Sequence, residues 1–515
     1  MDKREFPSDA CDQIFQLWIG AGGPTPDQAW QRLQLAAGAG QLRLARYLKR
    51  FIPPLERTTA DLWIDTHRNP AVVLDTSILD PQLVQATPIA VHAMHRLARV
   101  NPQLAAANLA EISKRYRIPP ETVAALRYRI AIGLAVDGHP GAAFWLESVP
   151  AANRDASLRA WIVRTALRNR DWQRALEAIE KMPDQEGDTA HWRYWRARAL
   201  EALGETTTAL EGYRSLAQER DYHGFLAADR IGVKPSLNNH PLQVDAAVRG
   251  QLLQLAPIER ARELYALKRV REATSEWRFG LVDASVDEYR AAAKIAHDWG
   301  WYNQAIVTVA RARDWNDLEI RFPTRYSKLV MSSAQRDGID PAWVFGIMRQ
   351  ESLFDPTIRS RAGATGLMQI MPATGRQVAK DLGMSWSGRP TLIRPEYNIR
   401  IGSRYLRMGL DRLSGRHIFA TAGYNAGPGR VEQWLASGES VPADIWIELI
   451  PFRETRRYLR KVVEYTVIYQ YRLGHQTNFI SRVMGPVTPE SKGAVAATSP
   501  TGISAHSFLE EPPGV

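Results

Sequence analysis

The sequence predicts a mostly all-α protein: an α-superhelical repeat array followed by a second, chemically distinct domain. Three observations carry this. Ala, Leu and Arg recur at three- and four-residue spacing almost continuously to about residue 475, and alternating β-branched runs are scarce. Some of these helical segments echo one another at a spacing of 34 residues. After residues 321–329 the composition changes to denser Gly, Met and motif-like segments.

The array comes first. Trp161 and Trp195 stand 34 residues apart, as do Ala175 and Ala209, and Leu176 and Leu210. Tyr128 and Ala142 give a weaker echo upstream. This is the pattern of helix–turn–helix repeats similar to tetratricopeptide units. One hairpin cannot bury its apolar face alone, so neighbours stack. In WRYWRARALEAL, Trp192, Trp195, Ala199 and Leu203 form one stripe, and Gly204 stops the helix. In WQRALEAIEKM, Ala175, Ile179 and Met182 do the same. The Trp residues read as stacking core rather than ligand platforms. The helices run from near residue 10 to about 320, broken at KPSLNNHP. The tail from 484 to 515 is rich in Pro, Ser, Gly and Ala and is expected to be disordered.

A chain of 515 residues exceeds one ordinary core. No apolar run is long enough to span a bilayer. The opening MDKREFPSDACDQIF has no apolar segment and no small-residue cleavage site, so no secretory leader is read there. The single cysteine, Cys11, excludes an internal disulfide and a cysteine-rich metal site. The formal charge of +11 fits a polyanionic partner. There is no dense Lys/Arg block and no zinc-finger spacing, so nucleic acid is not expected. No cofactor and no metal are expected.

The chemistry begins in GIDPAWVFGIMRQESLFDP. Asp340 is an N-cap and Pro341 suits the first helical position. Val344, Ile347 and Met348 share a face, and continuing that phase reaches Glu351, with Asp355 one turn further on the same helix. A carboxylate thus stands where an apolar residue is due. Burial disfavours its charged form, and a carboxyl protonated near neutral pH is what protonates a leaving sugar oxygen. Periodicity alone leaves open a Glu that snorkels to solvent or pairs with an arginine. Arg349 is near in sequence but on another face.

Three further segments accompany it. In SRAGATGLMQIMPAT, Gly363 and Gly366 permit turns, and Ser360 and Gln369 suit sugar hydroxyls and amides. Met368 and Met371 taken singly read as core. In ATAGYNAGPGRVEQWL, the AGPG turn puts Tyr424 and Asn425 at the end of one helix. In IELIPFRETRRYLRKVVEYTVIYQYRL, Glu454 caps a helix start or faces the cleft, while Tyr458, Val462, Tyr465 and Tyr469 form a stripe assigned to the core.

Together RQES (349–352), GATGLMQIMP (363–372), GYNAGPGRV (423–431) and IPFRETRRY (450–458) resemble the soluble lytic transglycosylases, relatives of goose-type lysozymes. Order and spacing agree, with Thr365 in the place of the usual Ser of the Gly-rich motif. The resemblance implies a goose-type-lysozyme-like α+β catalytic domain at 326–483, after an array at 1–260 and a helical linker domain at 261–325. It implies Glu351 as the catalytic acid, then base. Ser360, Gln369 and Met371 would line sugar subsites, Tyr424 would stabilise the charged transition state, Asn425 would support its turn, and Glu454 would face the muramic acid site. The implied activity is cleavage of the bond between N-acetylmuramic acid and N-acetylglucosamine in peptidoglycan, leaving a 1,6-anhydro end. Peptidoglycan strands are the expected partner, cell-wall synthesis or remodelling proteins further ones, a monomer the expected state and the periplasm the location. A hydrolytic muramidase, and a repeat scaffold with a degenerate catalytic module, are the alternatives.

Overall fold

The computed structural model describes residues 12–435 and 440–487, which are overwhelmingly helical. Two compact units result, one of Met1–Ala246 with Ala312–Arg321, the other of Ala247–Arg311 with Phe322–Val515.

In the first unit the 34-residue period is visible as geometry. Helices Ala156–Arg168 and Trp172–Glu180 are followed by Ala190–Ala202 and Thr206–Leu216. Residues in equal phase have equal burial: Trp161 and Trp195 are buried, as are Ala175 and Ala209, while Leu176 and Leu210 are half-buried. Asp155 and Asp171 cap two of these helices by accepting from Leu158 and Arg174 backbone amides. Tyr128 reaches across to the first cap, its hydroxyl 3.1 Å from either Asp155 oxygen. Gly204 ends its helix at φ 89°, as expected. Leu203 departs from its predicted stripe: it is the C-cap and stays exposed, because the helix face has already turned away.

The unit boundary differs from the 1–260, 261–325 and 326–483 division. Residues 312–321 belong with the first unit because side chains tie them to the KPSLNNHP break. Asp317 Oδ2 accepts from the Leu242 amide at 2.9 Å, Asn239 Oδ1 from the Leu318 amide at 3.1 Å, and Arg220 donates to the carbonyls of Leu237, Asn238 and Trp315.

The second unit opens with hairpins of helices Ala256–Ala266 with Val270–Gly280 and Val286–Asp298 with Tyr302–Arg311. Trp277 and Trp301 are their buried centre, and Tyr265 stacks on Trp301 at 4.7 Å. Further on, helix Pro341–Ser352 lies against the long helix Arg453–Arg472. They pack tightly at Gly346, where a Cβ would come within 2.9 Å of Thr466 Oγ1. Phe345 stacks on Tyr469 at 5.0 Å, and Trp343 Nε1 donates to Thr421 Oγ1 of helix His417–Ala426 at 3.0 Å. Among the described residues β structure is confined to isolated bridges, two of them in the Gly-rich loop, Arg359 to Thr365 and Thr365 to Ile370. No described helix is long and apolar enough to cross a membrane. The disorder expected for 484–515 falls, from residue 488 on, outside the described residues.

Candidate active site

The Glu351 helix starts as its sequence dictates, with Asp340 accepting from the Ala342 amide and Pro341 in the first turn. Its end is less ordinary. Leu353 and Phe354 both adopt positive φ, 50° and 68°, directly after Ser352. Non-glycine residues resist this region at a cost of about 1–3 kcal/mol each. Two contacts hold them there. Phe354 is buried, and its amide donates to Ser352 Oγ at 3.1 Å. The helix therefore stops one residue after Glu351.

This corrects the placement of Asp355. It is not a helical turn beyond Glu351 but lies past the two left-handed residues. There Asp355 Oδ1 accepts from both the amide and the hydroxyl of Thr357, each at 2.8 Å. It serves its own turn rather than standing beside Glu351.

Glu351 makes one hydrogen bond, accepting from the Tyr458 hydroxyl at 2.7 Å, and pairs with no cation among the described residues. Arg349, on another face, is buried with its guanidinium over Phe322 and Tyr465. Desolvation by burial pushes the Glu351 carboxyl from 4.5 up to about 7; the Tyr458 hydrogen bond pulls it down, and the charge of Glu454 pushes it up. Its position in the last helical turn acts in the same upward sense, since the C-terminal end of a helix carries partial negative charge. Near neutral pH a large fraction of Glu351 is therefore a proton donor.

Two tyrosines face this carboxyl. Burial and the nearby Glu351 charge hold both Tyr424 and Tyr458 well above the usual phenol range, so both remain donors. The Tyr424 hydroxyl donates to the Met368 carbonyl at 2.7 Å, tying its helix to the Gly-rich loop. Asn425 Oδ1 accepts from Thr455 Oγ1 at 2.7 Å, and its amide nitrogen donates to Glu454 Oε1 at 3.3 Å. So Glu454, in the first turn of helix Arg453–Arg472, is the second carboxylate whose charge reaches Glu351.

The loop itself is held by Asn398 of helix Pro395–Arg412. This fully buried amide accepts from the Met368 amide at 2.8 Å and donates to the carbonyls of Thr365 and Leu392 at 3.0 and 2.8 Å. Gly366, at φ 83°, passes so close that any Cβ would collide with Asn398 Nδ2 and the Leu392 carbonyl. Gln369, also at positive φ, donates from Nε2 to the carbonyls of Ile358 and Gly366 at 3.1 and 2.9 Å. Its amide is thereby oriented with Oε1 left to accept from a ligand.

Glu351, Tyr424, Asn425 and Glu454 are thus connected through hydrogen bonds or charge, while Gln369 is tied only to carbonyls of its own loop. Ser360 and Met371 are not joined to Glu351 in this way. Ser360 Oγ accepts from the Ala364 amide at 3.0 Å, bracing the loop, and Met371 is an exposed N-cap to helix Pro372–Asp381. The sequence reading missed Tyr458, assigned to the core stripe, and Asn398. Both carried a signal. Tyr458 stands one helical turn from Glu454, and Asn398 interrupts the apolar phase of Ile401 and Gly402 as Glu351 interrupts its own.

A donor carboxyl raised by burial, one direct phenol donor and a hydrogen-bonding loop are groups of the kind a glycan-cleaving site of the lysozyme-like class uses. Comparison with known proteins agrees. The Transglycosylase SLT domain profile matches residues 328–447, the Soluble lytic murein transglycosylase L domain profile residues 251–318, and the Soluble lytic transglycosylase helical domain profile residues 449–477. The soluble lytic murein transglycosylase of Escherichia coli K12 is 30% identical over 478 residues, covering 92% of this chain and 74% of that protein. The lytic transglycosylase Slt of Pseudomonas aeruginosa, solved as an inactive mutant, superposes with TM-score 0.81 at 35% identity over 92% of this chain and 77% of its own. The 70-kDa soluble lytic transglycosylase of E. coli, also solved in complex with bulgecin A, gives 0.77 at 29% identity over 93% and 77%. The chain belongs to the soluble lytic murein transglycosylases.

Proposed function

We propose that this protein is a peptidoglycan lytic transglycosylase, cleaving the β-1,4 bond between N-acetylmuramic acid and N-acetylglucosamine with Glu351 as sole acid and base. The observation that carries the reading is the Glu351 carboxyl pushed up to about 7 by burial, with the Tyr458 hydroxyl as its one hydrogen-bond donor.

In the first step the Glu351 carboxyl gives its proton to the glycosidic oxygen. The C1–O bond breaks, and its electron pair leaves with the N-acetylglucosamine hydroxyl. The substrate's own 2-acetamido oxygen stabilises the cationic C1. In the second step the muramic C6 hydroxyl attacks C1, a C1–O6 bond forms, and the proton returns to Glu351. The nucleophile belongs to the same sugar, so its effective molarity exceeds that of water. The Tyr458 hydroxyl stabilises the carboxylate between the steps. Tyr424 stabilises the charged transition state, Asn425 braces its turn, and Glu454 faces the muramic acid site. Gln369 offers Oε1 to a sugar group, with Ser360 and Met371 lining outer subsites.

Mass analysis of products from intact sacculi tests this, wild type beside Glu351→Gln. Anhydro-muropeptides from the wild type alone are expected; reducing ends alone would replace the reading by a hydrolytic muramidase, with Glu454 as the base that activates water. The substrate places the enzyme in the periplasm, working as a monomer beside wall-synthesis or remodelling proteins. The 326–483 region is proposed as the catalytic domain. Detection of the native protein in a cytoplasmic fraction alone would remove the proposed location.

A further inference from the structure

Met368 of the Gly-rich loop is held by two helices at once. Its amide donates to Asn398 Oδ1 at 2.8 Å, and its carbonyl accepts from the Tyr424 hydroxyl at 2.7 Å. Its fully buried side chain lies against Gly402 of helix Pro395–Arg412, one turn after Asn398. A Cβ at Gly402 would overlap Met368 Sδ and stand 2.8 Å from its Cε and 3.0 Å from its Cβ. The backbone at Gly402 is ordinary helix, without a positive φ. Glycine is unfavourable at such a position relative to alanine, so the close approach of Met368 is what calls for it.

The approach bears on Tyr424. The buried Met368 thioether cannot swing out to solvent, and Met368 Cβ moves only with its own backbone. A methyl at Gly402 would therefore displace that backbone and, with it, the carbonyl that takes the Tyr424 proton. A hydroxyl has one proton. With it committed to Met368, the Tyr424 oxygen turns lone pairs to any other neighbour. That is the polarity a positively charged C1 requires. The charge of Glu351 reaches the same hydroxyl. Three residues after Gly402, the Tyr405 ring packs on the Tyr424 ring at 5.4 Å. One face of helix Pro395–Arg412, made of Asn398, Gly402 and Tyr405, thus braces both partners of the Tyr424–Met368 hydrogen bond.

We infer that Gly402 is a positioning residue for the cleavage: it seats Met368 so that the Met368 carbonyl fixes the direction of the Tyr424 hydroxyl. The inference rests on the transition-state role proposed for Tyr424. Gly402 is buried in its helix and acts only through Met368.

The test measures kcat and KM on glycan strands for full-chain Gly402→Ala, Tyr424→Phe, these two combined, and Gly402→Ala combined with Met368→Ala, each beside its thermal unfolding. Gly402→Ala is expected to lower kcat roughly tenfold to a hundredfold with KM nearly unchanged, the loss that a misplacement of about 1 Å brings. In the Tyr424→Phe background it is expected to cost kcat nothing further, because the hydroxyl it misdirects is gone. Met368→Ala removes Sδ and Cε from the overlap and leaves a Cβ contact that a small shift relieves, so this pair is expected to recover most of the lost kcat. An unchanged kcat in Gly402→Ala, or losses that multiply when it is combined with an impaired Tyr424→Phe, overturns the inference and leaves the role of Tyr424 standing. Tyr424→Phe with wild-type kcat overturns the role of Tyr424, and the inference with it. Should Gly402→Ala alone not fold, the pair with Met368→Ala decides: a folded pair as slow as Tyr424→Phe overturns the inference, and one close to the wild type supports it.

Discussion

At Glu351 two effects oppose each other, and desolvation wins. The free carboxyl value of 4.5 rises to about 7 despite the Tyr458 hydrogen bond, which favours the anion. The folded state therefore holds a proton over a pH range in which the unfolded chain has lost it. The contribution of this group to stability is largest below about pH 4.5 and declines as pH rises towards 7, by roughly 3 kcal/mol once the group is ionised. Glu351→Gln removes that decline. It is expected to match the wild type in thermal unfolding at pH 4 and exceed it at pH 8; equal melting at both would show that the carboxyl is not desolvated. In catalysis the same group must enter protonated, so kcat/KM is expected to fall on the alkaline side with a midpoint of about 7. Tyr458→Phe removes the donor that favours the anion. The sign is upward: the alkaline limb should move to higher pH by about one unit, while kcat falls because the carboxylate between the two steps loses its partner. An unmoved limb in the pH profile would remove Tyr458 from the machinery. Glu351 was legible in sequence because a charged residue broke an apolar phase. Tyr458 was only faintly so: it stands one turn from Glu454, but a tyrosine on an apolar face fits a core as well as a site, and only the fold brings residues 351 and 458 together.

At the scale of elements, the active site depends on a loop that no regular structure supports. The Gly-rich segment has three residues at positive φ, Gly363, Gly366 and Gln369, and only isolated bridges. Asn398 replaces the missing sheet by serving one amide and two carbonyls. Asn398→Leu keeps the branched shape but leaves the Met368 amide and the Leu392 carbonyl unpaired, the Thr365 carbonyl keeping the Ile370 amide, at about 1–3 kcal/mol for each one that finds no water. The expected result is a lower unfolding free energy in denaturant together with a rise in KM for glycan strands, since Met368 and Gln369 lose their fixed positions. A stability loss with KM unchanged would make Asn398 a core residue only. The glycine requirement at 363 and 366 was readable from Gly-punctuated spacing. The helix end was not: the apolar phase runs on to Asp355, whereas the chain turns left-handed at Leu353 under contacts made by Ser352 and Phe354.

Over the whole molecule, the helical repeat was legible because a period of 34 residues forces equal burial at equal phase, as at Trp161 and Trp195. The unit boundary was not, because it is set by long-range side-chain contacts from Arg220 and Asn239 to residues 315–318 that leave no local pattern. Net charge is a third whole-molecule property, and it bears on encounter rather than fold. A chain of +11 meeting a polymer that carries carboxylates should be drawn to it over about 10 Å at 0.1 M salt but only about 3 Å at 1 M. The first effect is on capture, not on the chemical step, since the Glu351 carboxyl is largely desolvated and poorly screened. Initial rates on sacculi below saturation are therefore expected to fall several-fold between about 0.05 and 0.5 M salt, with kcat at saturation nearly constant. Binding of a neutral N-acetylglucosamine oligomer, which has no carboxylate, should not follow. A sub-saturating rate independent of salt, or an equal loss for the neutral oligomer, would mean that the basic surface takes no part in finding the wall.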